Sequence, residues 1–243
     1  IFEHKDASAE QLAIAEINTG VLAAPAKALK RWLPQLQANN AQGEYYLTDI
    51  IVMAVADSFS IAVAHPKDLI EIQGINSRRQ LQEVERALQH QRALQLMDEG
   101  VGLADAQRLD IRGELSADSD CFIDINCVFE GTVTLGHHVR IGPNCMIINS
   151  RIGDGVEIKA NSIVEDADVS GDCVIGPFAR LRPGSVLGNG VKVGNFVEVK
   201  KSRLADGAKV NHLSYIGDAE VGSLTNIGAG TITCNYDGVN KHK

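Results

Sequence analysis

Between Ile123 and Ile227 an aliphatic or Phe side chain returns every six residues, or at some steps every five. The series runs from Ile123, Phe129, Leu135 and Ile141 through Leu181, Val199 and Val210 to Ile227, and no position in it is polar. A small or β-branched residue follows four places after an anchor, as at Cys127, Val133, Cys145, Ser162, Cys173, Ala179 and Ser214. A helix needs apolar spacing near 3.6 and a flat sheet spacing near 2. A sustained period of six predicts a parallel β-helix instead. The five-residue steps begin at 147, 164, 199 and 216, so one coil is about 17 residues and has three short faces. Gly, Asp and Asn crowd the turns, as in Ile152-Gly153-Asp154-Gly155. A triangular prism follows, filled by the anchors and the small residues and beginning near Cys121.

Upstream the pattern changes. Residues 77–99 read as one helix, capped by Ser77 and stopped at Gly100, with Leu81, Val84, Leu88, Leu94 and Met97 along it. It is expected to act as a rigid connector. Residues 101–120 read as irregular. Residues 1–78 read as mixed α/β, with helices over 26–36 and 46–57. Strands are expected at Ile17–Leu22 and Phe59–Val63, and another at Glu71-Ile72. No glycine-rich phosphate loop occurs there.

Composition narrows the field. The chain has 243 residues, 31 acidic and 23 basic, for a net charge of −8. That argues against a general nucleic-acid binder. No apolar run approaches the ~18 residues of a membrane span. The chain opens Ile1-Phe2-Glu3 and stops at Lys241-His242-Lys243 as the repeat lapses, so it is expected to be a fragment. Four of the five cysteines, Cys121, Cys127, Cys145 and Cys173, fall at the small inward slot. They read as buried reduced thiols, which fits a cytoplasmic protein.

Residues one coil apart stack in columns about 4.8 Å apart. Arg182 and Lys200 follow the anchors Leu181 and Val199 and therefore stack. Either an anion lies between them or they are two solvated surface cations. His212 has Asn195 on one side of its column and Ala229 on the other. It reads as a proton acceptor, as a turn histidine bonded to backbone, or as a metal ligand. His137 and His138 lie about 19 Å from it at strand spacing, so they cannot share its metal. The run Asn226 to Gly238 leaves the period, and Asn235-Tyr236-Asp237-Gly238 is turn chemistry of the kind that often carries binding in a solenoid.

Several motifs point to one family: Glu3-His-Lys-Asp6, Glu16-Ile-Asn-Thr-Gly20, Asn40-Ala-Gln-Gly-Glu-Tyr-Tyr46, Gly176-Pro-Phe-Ala-Arg-Leu-Arg-Pro-Gly184, Val193-Gly-Asn-Phe-Val-Glu198 and Asn226 to Gly238. With these the chain resembles the bacterial bifunctional N-acetylglucosamine-1-phosphate uridyltransferase/glucosamine-1-phosphate acetyltransferases, along essentially its whole length. The resemblance implies truncation at both ends. It also implies the C-terminal portion of a Rossmann-like uridyltransferase domain over 1–78, a linker helix over 79–99, and a left-handed β-helix acetyltransferase domain over 100–243. It implies transfer of acetyl from acetyl-CoA to glucosamine 1-phosphate, with His212 as general base. Arg182, Lys200, Tyr215 and Asn226 match sugar-phosphate contacts, and Ala229, Asn235 and Tyr236 match acetyl-CoA contacts. Lys241 matches a residue reaching the neighbouring subunit of a homotrimer. For uridylyl transfer from UTP to N-acetylglucosamine 1-phosphate, Glu3, Asn18 and Asn76 match sugar-nucleotide ligands, and Asn76 also a Mg²⁺ ligand. Without the remaining parts of the family's chain both activities are expected to be impaired. Two other readings stay open. One is a nucleotidyltransferase whose β-helix only oligomerises. The other is a non-enzymatic scaffold.

Overall fold

The computed structural model describes Ile1, residues 5–240 and His242, in two compact units, Ile1–Gly74 and Ile75–Lys243. In the first unit, helix α1 (Ala26–Trp32) continues into a 3₁₀ turn, Leu33–Gln35, where Pro34 cannot extend the α-helical ladder. Helix α2 (Ile50–Ala56) is preceded by a 3₁₀ turn at Leu47–Asp49. Ala28, Trp32, Ile50 and Ala54 make a small core. The Trp32 indole N–H donates to Asp57 at 2.6 Å and its ring meets Phe59 edge-on.

The expected strands at Ile17–Leu22 and Phe59–Val63 do not form, and Glu71-Ile72 lies in a 3₁₀ turn, Leu69–Ile72. A strand exists only where another pairs with it, and among the described residues of this unit no such partner occurs. Phe59, Ile61 and Val63 are accordingly exposed rather than buried.

The second unit opens with helix α3 (Arg78–Asp98). The Ser77 hydroxyl accepts from the Gln80 N–H at 3.2 Å, and Gly100 supplies the positive φ past the helix end. The expected connector in fact packs on the prism. Ala93 and Leu96 join its core. Gln89 is buried, donates to the Ile111 carbonyl at 2.9 Å and accepts from the Ile111 N–H at 2.8 Å. One amide side chain thus serves the edge strand as a neighbouring backbone would, and Arg92 adds a bond to the same carbonyl at 2.8 Å. That closes an edge that would otherwise be open for pairing.

The β-helix is parallel throughout. Its first face has eight strands, from Gly102–Leu103 to Asn226–Ile227. A twelve-stranded sheet makes the other two faces, because Leu109–Ala117 and Cys127–Leu135 run through a corner unbroken. Register confirms the coil length: Ile175 pairs with Val193, Val193 with Val210 and Val210 with Ile227. The anchors are fully buried from Ile123 to Ile216, while Val221 and Ile227 are only partly so.

The prism starts earlier than Cys121, and within 101–120 the segments Gly102–Leu103 and Leu109–Ala117 are strands. Leu103 pairs with Ile123 and Ile111 with Phe129, so two extra residues separate these first anchors. Ala117 fills the next anchor slot, opposite Leu135. An insertion and a small anchor hide the first coil from a period of six.

The four inward cysteines are free and buried. Each thiol points at a carbonyl of the next coil: Cys121 at Gly136, Cys127 at Gly142, Cys145 at Lys159 and Cys173 at Gly188, at 2.9 to 3.2 Å. Burial pushes Cys127 up to about 12 and Cys173 up to about 11. Such thiols stay protonated and pack the core.

Candidate functional site

One corner of the prism, between the first face and the second, gathers much of the predicted chemistry. On the first face most strands are two residues long, but Lys192–Asn195 and Lys209–His212 run to four. The extension pairs Asn195 with His212. His212 is exposed, and its Nδ1 lies 3.0 Å from the Asn195 side-chain oxygen. On the other side the Gly230 N–H donates to the His212 carbonyl at 3.3 Å, placing Ala229 next in the column. The close strand approach requires glycine at 194, since a Cβ there would sit 1.9 Å from the Asn211 carbonyl oxygen.

Beyond the corner, Tyr215 begins the second-face strand Tyr215–Gly217 and pairs with Glu198. Arg182 follows Leu181, which pairs with Val199, so Arg182 stacks over Lys200 as the spacing requires. Its guanidinium is met by Glu198 at 2.8 Å. This bond, with smaller contributions from Tyr215 and Glu165, raises the guanidinium above its ordinary value. The like-charge stacking of Arg182 on Lys200 is therefore relieved by a diagonal carboxylate. Both groups of the pair are about one-third exposed, so its net contribution to stability is small.

The departing run folds back on this face. The Thr233 hydroxyl accepts from the Gly217 N–H at 2.7 Å. The Asn235 amide donates to Asp218 at 2.5 Å and to the Tyr215 hydroxyl at 3.3 Å. Tyr236 is exposed, and its hydroxyl donates to the Gly238 carbonyl at 2.8 Å. Asn226 pairs with Lys209 and is exposed on the first face. Glu198, Asp218 and Thr233 were not legible as site residues by column arithmetic. Glu198 reaches Arg182 diagonally, and diagonal neighbours across strands carry their own signal.

The corner itself is unusual. Asn126, Asn144 and Asn161 occupy it in the early coils, and Phe178, Phe196 and Leu213 in the later ones, all at positive φ. Phe178 and Phe196 stack at 5.3 Å, and Leu213 directly follows His212. Beside them, on the first face, lies a shallow basin of about 340 Å³ edged by Lys159, Lys192, Asn195 and His212 and floored by Gly176 and Gly194. A depression of about 400 Å³ between Lys201, Arg203, Asp218 and Glu220 opens elsewhere and holds no predicted residue.

The residues matched to uridylyl transfer are divided between the two units. Glu3 and Lys241 lie outside the described residues. Asn18 is exposed in the first unit, its side chain accepting from the Gly20 N–H at 3.3 Å in a turn. Asn76 is exposed in the second unit, next to the α3 cap. Among the described residues no group of three or more His, Cys, Asp or Glu could hold a metal ion. One amide oxygen at Asn76 does not make the oxygen-rich octahedral site that Mg²⁺ demands. Among the described residues no helix is long and apolar enough to cross a membrane.

Comparison with known proteins gives the following. A family model for the GMPPB C-terminal domain matches residues 111–202. The chain is 58% identical to the bifunctional protein GlmU of Marinobacter nauticus over 243 residues, which is 100% of this chain and 54% of that protein. It is 62% identical to the GlmU of Cellvibrio japonicus and 54% identical to that of Aromatoleum aromaticum, again over its whole length and about half of theirs. The chain thus spans about half the length of the curated relatives it matches.

Proposed function

The chain belongs over its whole length to the family of the bifunctional GlmU proteins, and from the geometry of its prism we propose that it takes part in acetyl transfer from acetyl-CoA to glucosamine 1-phosphate. The observation that carries this reading is the corner at His212. An exposed imidazole stands on one side of it, and Tyr215, Arg182 and Asn235 stand on the other. The amine nitrogen attacks the thioester carbonyl carbon, the C–N bond forms and the C–S bond breaks. His212 accepts the proton the amine must lose and returns it to the departing thiolate. Arg182 and Lys200 supply the charge for the sugar phosphate. Glu198 holds Arg182 until the phosphate shares it. Tyr215 and Asn226 contact the sugar. Ala229, Asn235 and Tyr236 line the path of the acetyl donor.

The exposed Phe178, Phe196 and Leu213 beside His212 are where a neighbouring prism of a homotrimer would cover the site, with Lys241 reaching across. Residues 1–78 we assign to the end of the uridyltransferase domain, with Glu3, Asn18 and Asn76 as sugar-nucleotide contacts. Transfer of UMP from UTP to N-acetylglucosamine 1-phosphate then follows acetyl transfer in making UDP-N-acetylglucosamine.

Calorimetry with glucosamine 1-phosphate tests the phosphate assignment. Arg182→Ala is expected to weaken binding at least tenfold, since a charge-assisted pair is lost. Equal binding by the variant and the unaltered chain contradicts the assignment.

A further inference from the structure

We propose that Asn195 is a positioning residue for His212, holding the imidazole as the tautomer with its proton on Nδ1 and its lone pair on Nε2. The 3.0 Å contact joins the Asn195 side-chain oxygen to His212 Nδ1. An amide oxygen can only accept, so Nδ1 must donate, and in a neutral ring that leaves Nε2 as the basic atom. The backbone under this contact is built for it. The two strands are extended to four residues at this level, and the added residues are the ones that place Asn195 opposite His212. The Leu213 N–H donates to the Asn195 carbonyl at 3.1 Å, fixing both residues from the other side. Gly194 admits the close approach, its missing Cβ leaving room for the Asn211 carbonyl.

The choice of an amide matters chemically. A carboxylate in the same place would orient the ring equally well and would also favour the imidazolium, which cannot accept a proton. Asn orients without adding charge. The charged groups around the basin are Glu157, Lys159 and Lys192, with Lys209 on His212's own strand and Tyr215 around the corner. An altered charge at 195 would act on top of that set.

The catalytic consequence rests on the acetyl-transfer reading, and the tautomer does not. Nitrogen-15 NMR of the His212 ring in the unaltered chain is expected to find the proton on Nδ1. A proton on Nε2 overturns the proposal. Asn195→Asp should keep that tautomer and move the acid limb of the kcat/KM profile up by about one pH unit or more. Asn195→Ala should mix the tautomers and lower kcat on the order of 10- to 100-fold, with KM for glucosamine 1-phosphate unchanged. If Asn195→Ala leaves tautomer and profile as they were, the residue is merely structural. If the tautomer is as stated but His212→Ala keeps full acetyl transfer, the acetyl-transfer reading fails and the positioning contact stands.

Discussion

The corner that carries Asn126, Asn144 and Asn161 in the early coils carries Phe178, Phe196 and Leu213 in the later ones. Backbone geometry is the same in both stretches, with φ of 58–61° at the three Asn and 48–56° at the other three. The outside differs. The Asn side chains bond one another down the ladder, at 3.0 Å and 3.2 Å. Asn tolerates the left-handed region, whereas other side chains lose about 1–2 kcal/mol per residue there. The later stretch accepts that cost and also leaves Phe178, Phe196 and Leu213 49%, 56% and 63% exposed. The stretch that departs from the least costly solution is the one beside His212, and strain of this kind clusters at functional sites. The inside does not distinguish the two regions: Ile147 and Leu181 are equally buried anchors.

The largest effects should therefore be indifferent to region. Ile147→Ala in the early coils and Leu181→Ala in the later ones should each cost about 2–5 kcal/mol in denaturant unfolding. A clear asymmetry between them would break the view of one uniform core. Smaller effects should separate the regions. Asn144→Phe should destabilise the prism by about 1–2 kcal/mol, and Phe196→Asn should stabilise it by a similar amount while weakening self-association and acetyl transfer. Sedimentation and thermal unfolding on the same two variants check both halves of that statement.

Thiol chemistry sharpens the inside further. With Cys127 pushed up to about 12 and Cys173 up to about 11, the native chain should react with a disulfide reagent at pH 8 only through exposed Cys234. Rapid modification of more than one thiol would mean an open core. The smallest effect lies in the departing turn. The N–H groups of Asn240 and Val239, with the His242 ring, hold the Asp237 carboxyl at about 2, below its ordinary 3.8. A depressed carboxylate contributes stability above its unfolded value and loses it as pH falls through the folded one. The turn should thus persist down to about pH 2, and carbon-13 titration of Asp237 reads this directly.

Much of this fold is legible along the chain because the prism repeats: every anchor from Ile123 to Ile216 that the period picks out is buried. The rule failed where a local departure hid the period, at the two-residue insertion before Ile111 and at Ala117 in an anchor slot. It failed again in residues 1–74, where apolar runs read as strands find no pairing strand among the described residues. At the site, columns brought Arg182 to Lys200 and Asn195 to His212, since both pairs follow from coil length alone. They did not reveal Glu198 on Arg182 or Asp218 on Asn235, because those contacts run diagonally or come from a loop outside the repeat. The strained corner was hidden for a different reason: Phe and Leu are not residues from which a left-handed turn is read.

The central claim, that the later coils carry acetyl-transfer chemistry at His212, is tested most directly by thiol release from acetyl-CoA in the presence of glucosamine 1-phosphate. Any thiol the chain releases is expected to match acetylated sugar in amount, and His212→Ala to slow that release by about 10²–10⁴-fold with unchanged thermal unfolding. Release undiminished in the variant, or no release and no glucosamine 1-phosphate binding by the unaltered chain, would contradict it.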